Sequence, residues 1–219
     1  MKMTWQEELN KTKNRRIVLA LDTAVTGCAV CISDGEHFWT ETVETERGQA
    51  ECLVPMINRV IRKASYTYND FDRIAVTTGP GSFTGVRVGL STAKALGLSI
   101  NKPVSGFDTL SVIAKASGLQ RDTVIMIDTK RGDFYGQAFT KDLQPIGDPE
   151  IWTMDMAENS AFAIIRDVLP DIEVMARMAH EIEGDEITYH PEKAPHPLYI
   201  RGAEVSQSKR IMPKIVKAG

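Results

Sequence analysis

With 219 residues, the chain has room for one large domain or two of about 100 residues each, and it can bury a real core. Its 42% hydrophobic, 25% charged and 7% aromatic residues exclude collagen-like, disulfide-scaffold and disordered classes, and no run approaches the ~18 apolar residues that span a bilayer. A net charge of −3 and a pI near 5.9 argue against a free-standing nucleic-acid binder, so another molecule would supply most phosphate contacts to any RNA.

Residues 1–15 are polar and lack the apolar core of a signal peptide, which predicts a flexible extension on a soluble cytoplasmic protein. The run 17–21 is unbroken apolar and β-rich, as a central strand covered on both faces would be. It stops at Asp22-Thr23, and a second strand follows over 28–33. Asp34-Gly35 is a two-residue hairpin signal leading to a third strand over 36–43. Leu53, Met56, Ile57, Val60, Ile61 and Ala64 recur at helical spacing, which predicts a helix over 49–64 that either starts near Pro55 or kinks there. A strand over 73–78 runs into Gly79-Pro80-Gly81-Ser82-Phe83-Thr84-Gly85, followed by a helix over 84–99, a short strand at Val104 and a helix over 108–117.

The second half opens on an echo. VLALDTAVTGCAVCI (18–32) is matched by VIMIDTKRGDFYGQAF (124–139), each an apolar strand ending in Asp-Thr, then a polar turn and another strand. A duplicated α/β fold follows, with a boundary near 100–107. Beyond residue 140 the pattern predicts helices over 157–168 and 174–183 and an extended proline-rich return in PEKAPHPLYIRG.

Cys28 and Cys31 form a C-x-x-C, yet they lie in a strand, where side chains three apart point to opposite faces. With no second pair to complete a tetrahedral site, they are read as buried small hydrophobes. His37, His180, His190 and His196 make no H-x-x-x-H or H-E-x-x-H, so no metal site is expected. The strand-to-helix loop GPGSFTG has the geometry in which backbone N–H groups cradle an anion. It fits neither the Walker nor the dinucleotide pattern. It can equally be a tight turn whose glycines let a helix pack closely, with Ser82 or Thr84 as the cap. Asp22 and Asp128 could each hold a metal–nucleotide complex, or each close an Asx-type turn. The candidate nucleotide or anion site is therefore Asp22, Thr23, Gly79, Gly81, Ser82, Thr84 and Asp128, read as vestigial. KRIMPKIVK near the C-terminus is basic and is read mainly as a solvated end.

LALDTAVTGCAV, TTGPGSFTGVRVGLSTAKALGL, IDTKRGDFYGQAF and the late PLYIR resemble, in order and spacing, the motif series of the TsaB (YeaZ) family, over about 16–140 and 195–201. The resemblance implies a duplicated actin-like ATPase (RNase H-like, ASKHA) fold of two lobes, the second shortened. It divides the chain into an extension (1–15), a first lobe with the glycine-rich loop and interface helices (16–105), a reduced second lobe (106–201) and a basic tail (202–219). It further implies a non-catalytic subunit for N6-threonylcarbamoyladenosine (t6A) synthesis on tRNAs reading codons that begin with A. Such a subunit partners a TsaD-like catalytic subunit and a TsaE-like ATPase, forms a homodimer in isolation and meets tRNA only through the complex. No cofactor would be tightly bound, with ATP or ADP possible at the complex interface. Two departures stand out: 142–190 is shorter than the family's usual length, and Gln49 stands where a His is common.

Two other functions compete. One is a nucleotide-dependent phosphotransferase or ATPase using Asp22 and the glycine loop, although the turn after Asp22 has no Lys or Arg to neutralise a triphosphate. The other is a metallopeptidase, against which the missing His pair speaks. Gly85, Gly89, Ala93 and Gly97 form a small-residue stripe on the 84–99 helix, and glycine inside a helix costs about 1 kcal/mol relative to alanine. Close helix approach, either in the chain's own core or against a partner, would account for the stripe. The resemblance favours the partner and an interface of Leu53, Met56, Ile57, Val60, Val86, Gly89, Leu90 and Ala93.

Overall fold

Strand β1 (Val18–Asp22) is buried at every position, and its alternating side chains feed two separate cores. Leu19 and Leu21 point into one cluster, Val18 and Ala20 into another on the opposite side. Double coverage is why no polar residue interrupts the run. The computed structural model describes residues 15–45, 48–183 and 187–201, so most of the extension and the whole 202–219 tail lie outside the described residues.

Strands β2 (Cys28–Ser33) and β3 (Phe38–Val43) form an antiparallel meander on β1, while β4 (Arg73–Gly79) and β5 (Val104–Asp108) add in parallel on its other side. The first sheet is thus ordered β3-β2-β1-β4-β5. The second contains β6 (Thr123–Asp128), β7 (Phe134–Phe139), β8 (Pro145–Trp152) and β9 (Ala163–Arg166), ordered β8-β7-β6-β9. Its pairing repeats the first: β6, β7 and β8 form an antiparallel meander and β9 lies parallel to β6. The duplication read from the Asp-Thr echo is present, with Asp22 and Asp128 ending equivalent strands. Among the described residues the second sheet has no fifth strand.

Helices α1 (Gln49–Ala64) and α2 (Phe83–Ile100) cover one face of the first sheet. α1 continues on both sides of Pro55 instead of beginning there, and Pro55 is exposed. Helix α3 (Thr109–Ser117) faces both lobes: Val112 joins the first sheet's other core, while Leu110, Ile113 and Ala114 pack on β6 and β7. α4 (Met154–Glu158) closes the outer face of the second sheet.

One expectation is corrected. The helix over 157–168 is instead the short α4 followed by β9. AFAII is a short apolar run that periodicity cannot assign to helix or strand, and parallel pairing with β6 settles it. β8 was not anticipated, because it is an edge strand exposed along most of its length and carries no hydrophobic alternation. The 106–201 segment also supplies a helix to the first lobe. Helix α5 (Ile172–His180), close to the anticipated 174–183, returns to the first sheet and buries Ile172, Met175, Ala176 and Ala179 against Val18, Ala20, Cys31 and Ala75.

At the end of α5, His180 Nε2 lies 3.1 Å from Ser33 Oγ. Burial is the main cause that lowers its pKa from 6.5; Arg16 and Arg177 add to it, while Asp34 and the Ser33 contact oppose it. The unfolded chain therefore takes up this proton more readily than the folded one, and the sign follows. Stability should be full above pH 6.5 and fall as the pH drops below it. Urea midpoints for wild type and His180→Gln should converge in slope above that pH, with the wild type losing more below it.

Candidate functional site

The two Asp-Thr turns differ in what they leave free. Asp22 is buried, and its Oδ1 accepts from the Ala24 amide at 2.9 Å and from Thr77 Oγ1 at 2.6 Å. Burial pushes its pKa up, with these hydrogen bonds opposing. Thr23 Oγ1 donates to the Gly85 carbonyl at 2.6 Å, and the Ser82 amide donates to the Ala24 carbonyl at 2.6 Å. The first turn is thereby stitched to the glycine-rich loop.

The glycines explain the stitching. A Cβ on Gly81 would overlap the Ala24 carbonyl oxygen, one on Gly85 the Thr23 carbonyl oxygen, and one on Gly89 would lie 2.6 Å from Thr23 Oγ1. Gly79, at φ +95°, has a backbone conformation that favours glycine. Ser82 caps α2 by accepting from the Gly85 amide at 3.3 Å, and its carbonyl receives the Val86 amide. Thr84 is exposed and takes no part. An anion cradle needs free amides facing outward, and those of Ser82, Gly85 and Val86 are already spent. A metal–nucleotide ligand needs a free carboxylate, and Asp22 is enclosed. At this turn GPGSFTG provides tight packing between the loop and the 23–24 backbone.

Asp128 closes an Asx-type turn by accepting from the Lys130 amide at 2.7 Å, with Lys130 Nζ at 3.2 Å. The Lys130 amide is the main cause holding its carboxyl below the usual range. Asp128, Gly81 and Ser82 line one cleft of about 600 Å³ between the lobes, whereas Asp22 and Thr23 are not among its lining. The candidate residues therefore divide between a cleft wall and the packed seam behind it. Among the described residues, no group of three or more His, Cys, Asp or Glu could hold a metal ion, and Cys28 and Cys31 belong to opposite cores.

A cluster at the cleft mouth was missed. The Arg87 guanidinium lies 3.7 Å from the Phe83 ring centroid, and Arg87 Nε donates to Tyr199 Oη at 2.8 Å. The late PLYIR segment places Tyr199 there: the Leu198 amide donates to the Thr78 carbonyl at 2.8 Å, and Arg201 pairs with Asp133 at 2.5 Å. The motif was visible in sequence, but its partner 112 positions away was not.

The interface assignment is corrected as well. Leu53, Met56, Ile57, Val60, Val86, Leu90 and Ala93 lie in the first lobe's own core, and Gly89 is buried against Thr23 and Val76. The small-residue stripe serves packing within the chain, with Gly97 against Val104 and Tyr189. Enlarging Gly89 would disturb this seam before it reached any partner.

A family profile described as "TsaD: tRNA N6-adenosine threonylcarbamoyltransferase" matches residues 43–211. The chain is 26% identical over 146 residues to the tRNA threonylcarbamoyladenosine biosynthesis protein TsaB of Buchnera aphidicola from Schizaphis graminum, covering 65% of this chain and 67% of that one. It is 31% identical over 132 residues to Escherichia coli K12 TsaB, covering 57% and 55%. An uncharacterized Mycobacterium tuberculosis H37Rv protein is 30% identical over 150 residues, covering 67% and 70%. The chain thus spans little more than half of the E. coli relative. Among solved structures, YeaZ from Pseudomonas aeruginosa superposes with a TM-score of 0.71 at 21% identity, covering 84% of this chain and 99% of that one. That likeness and the two repeated sheets give a two-lobed actin-like ASKHA-type fold.

Asp22→Asn keeps an acceptor for Thr77 and Ala24 and should leave stability nearly unchanged. Asp22→Ala strands a buried hydroxyl and a buried amide, and should cost about 1–3 kcal/mol in urea unfolding. Equal losses in the two variants would contradict this packing role.

Proposed function

The chain belongs to the TsaB/YeaZ family, and on that premise we propose that it is an accessory subunit for t6A biosynthesis on tRNA, without catalysis of its own. In this reading it docks a TsaD-like catalytic subunit and serves a complex completed by a TsaE-like ATPase. It pairs with a second copy when alone and meets tRNA through its partners, with any ATP or ADP held at the complex interface. One observation carries the reading: the Asp22 carboxylate accepts from Ala24 and Thr77, and the turn that follows it is hydrogen-bonded to the glycine loop, so both are engaged within the chain. The same commitment weighs against a phosphotransferase built on Asp22.

Docking falls to the outer side of α1 and α2, since their inner sides are in the core. Val54 is 47% and Leu98 65% exposed, and Pro55, Ser91 and Ala95 are exposed as well. Large apolar side chains on an outer helix face suit protein contact more than solvent. The small Ser91 and Ala95 would let another helix approach closely.

Two outcomes test the proposal. The purified chain should not modify tRNA from threonylcarbamoyl-adenylate and should not turn over ATP above background, yet modification should require it once TsaD-like and TsaE-like proteins are added. Val54→Arg with Leu98→Arg should lower capture of the TsaD-like protein at least ~10-fold, the equivalent of about 1.4 kcal/mol. Circular dichroism and urea midpoints should stay at wild-type values, because both side chains are on the surface. Unchanged capture by the folded double variant would move the docking surface elsewhere.

A further inference from the structure

The three cysteines occupy different environments. Cys31 is sealed beneath α5, where burial and the carboxylates of Glu173 and Asp171 push its thiol up to about 12. Cys28 opens β2 on the opposite face and is only 3% exposed, while Cys52, at the end of the first turn of α1, is partly exposed. The Cys28 and Cys52 Sγ atoms are 2.9 Å apart, closer than non-bonded sulfurs normally pack. Both sulfurs also lie within 3.7 Å of one carbonyl oxygen, that of Gln49. The strand and the helix thus present two thiols to each other, one reachable from solvent and one behind it.

We propose that Cys28 and Cys52 are a redox-active dithiol, an oxidative modification site that a hydroperoxide closes to an intramolecular disulfide. Cys52 is attacked first because it is the exposed member. Its sulfur takes the outer peroxide oxygen as the O–O bond breaks, giving a sulfenic acid and releasing water or an alcohol. The Cys28 sulfur then displaces the sulfenic oxygen: the S–O bond breaks, the S–S bond forms, and the oxygen leaves as water with the Cys28 proton. Two thiols lose two electrons and two protons, and the peroxide is reduced. The sulfurs need to close by less than an ångström to reach a bond length of about 2.05 Å. The C-x-x-C spacing is a decoy, because Cys31 lies on the far side of the same strand. A cross-link between residues 24 apart would instead fasten the root of α1 to β2.

The test uses the full-length chain, folded and reduced, exposed to hydrogen peroxide and then alkylated in denaturant before peptide mass mapping. The expected product is a Cys28–Cys52 linked peptide lighter by two hydrogens, with Cys31 recovered as the alkylated free thiol and the link reversed by dithiothreitol. In Cys52→Ser, Cys28 should remain reduced under the same treatment. In Cys28→Ala, Cys52 should accumulate as a sulfenic acid trapped by dimedone. The wild-type map needs no variant to fold. Oxidation of Cys52 to sulfinic or sulfonic acid without linkage, a Cys28–Cys31 link, or three thiols still free after excess peroxide would each overturn the proposal.

Discussion

Backbone meets backbone where the 23–24 turn lies against the 81–85 loop, and the first lobe is organised around that contact. The Ser82 amide reaches the Ala24 carbonyl and the Thr23 hydroxyl reaches the Gly85 carbonyl, at distances that leave no room for a Cβ at Gly81 or Gly85. Because α2 begins in this loop, the contact sets how closely α2 lies on the sheet. The neighbouring Gly89 continues the same seam one turn further along the helix. The glycines that cost the helix intrinsic stability are therefore offset by burial of Val86, Leu90 and Ala93 against the strands.

A fold of this kind need not keep the chemistry its architecture is suited to, since function resides in the site. In the first lobe, the strand-end carboxylate has become a buried acceptor that shapes its own turn. In the second, the equivalent Asp128 remains at the cleft but is tied to Lys130. Duplication thus left two copies of one turn, one turned to packing and one to surface charge. Asp22 is enclosed by its own lobe, and Asp128 is paired with Lys130.

The first lobe was largely legible because its signals are local. A doubly buried strand shows as an uninterrupted apolar run, and α1 declares itself through Leu53, Met56, Ile57, Val60 and Ile61. The second lobe was harder because β8 is exposed and β9 has only four residues. At the site, the meaning of the motif glycines depended on what faced them. Sequence marks Gly81, Gly85 and Gly89 as special but cannot say whether a phosphate, a partner helix or the Thr23 backbone fills the space. The apolar residues of α1 and α2 were misassigned to a partner for a related reason: burial against one's own sheet and burial against another chain require the same side chains. Phe83, Arg87 and Tyr199 were beyond reach, since their meeting depends on the path of the returning chain.

That path has a mechanical consequence. The chain passes between the lobes at α3, again before α5, and again in the 187–201 segment, where Pro195 packs on Gly106 and Arg201 grips Asp133. A two-lobed protein that swings about a hinge needs few crossings, and those in extended backbone. α3 is different: Val112 is buried with the first sheet and Leu110 and Ile113 with the second, so a swing would strip one of its faces, at about 1.5–3 kcal/mol for each large side chain. The two sheets are therefore coupled through a shared helix, which opposes their separation. The less such coupling leaves to be ordered on association, the smaller the contact area that a stable complex needs.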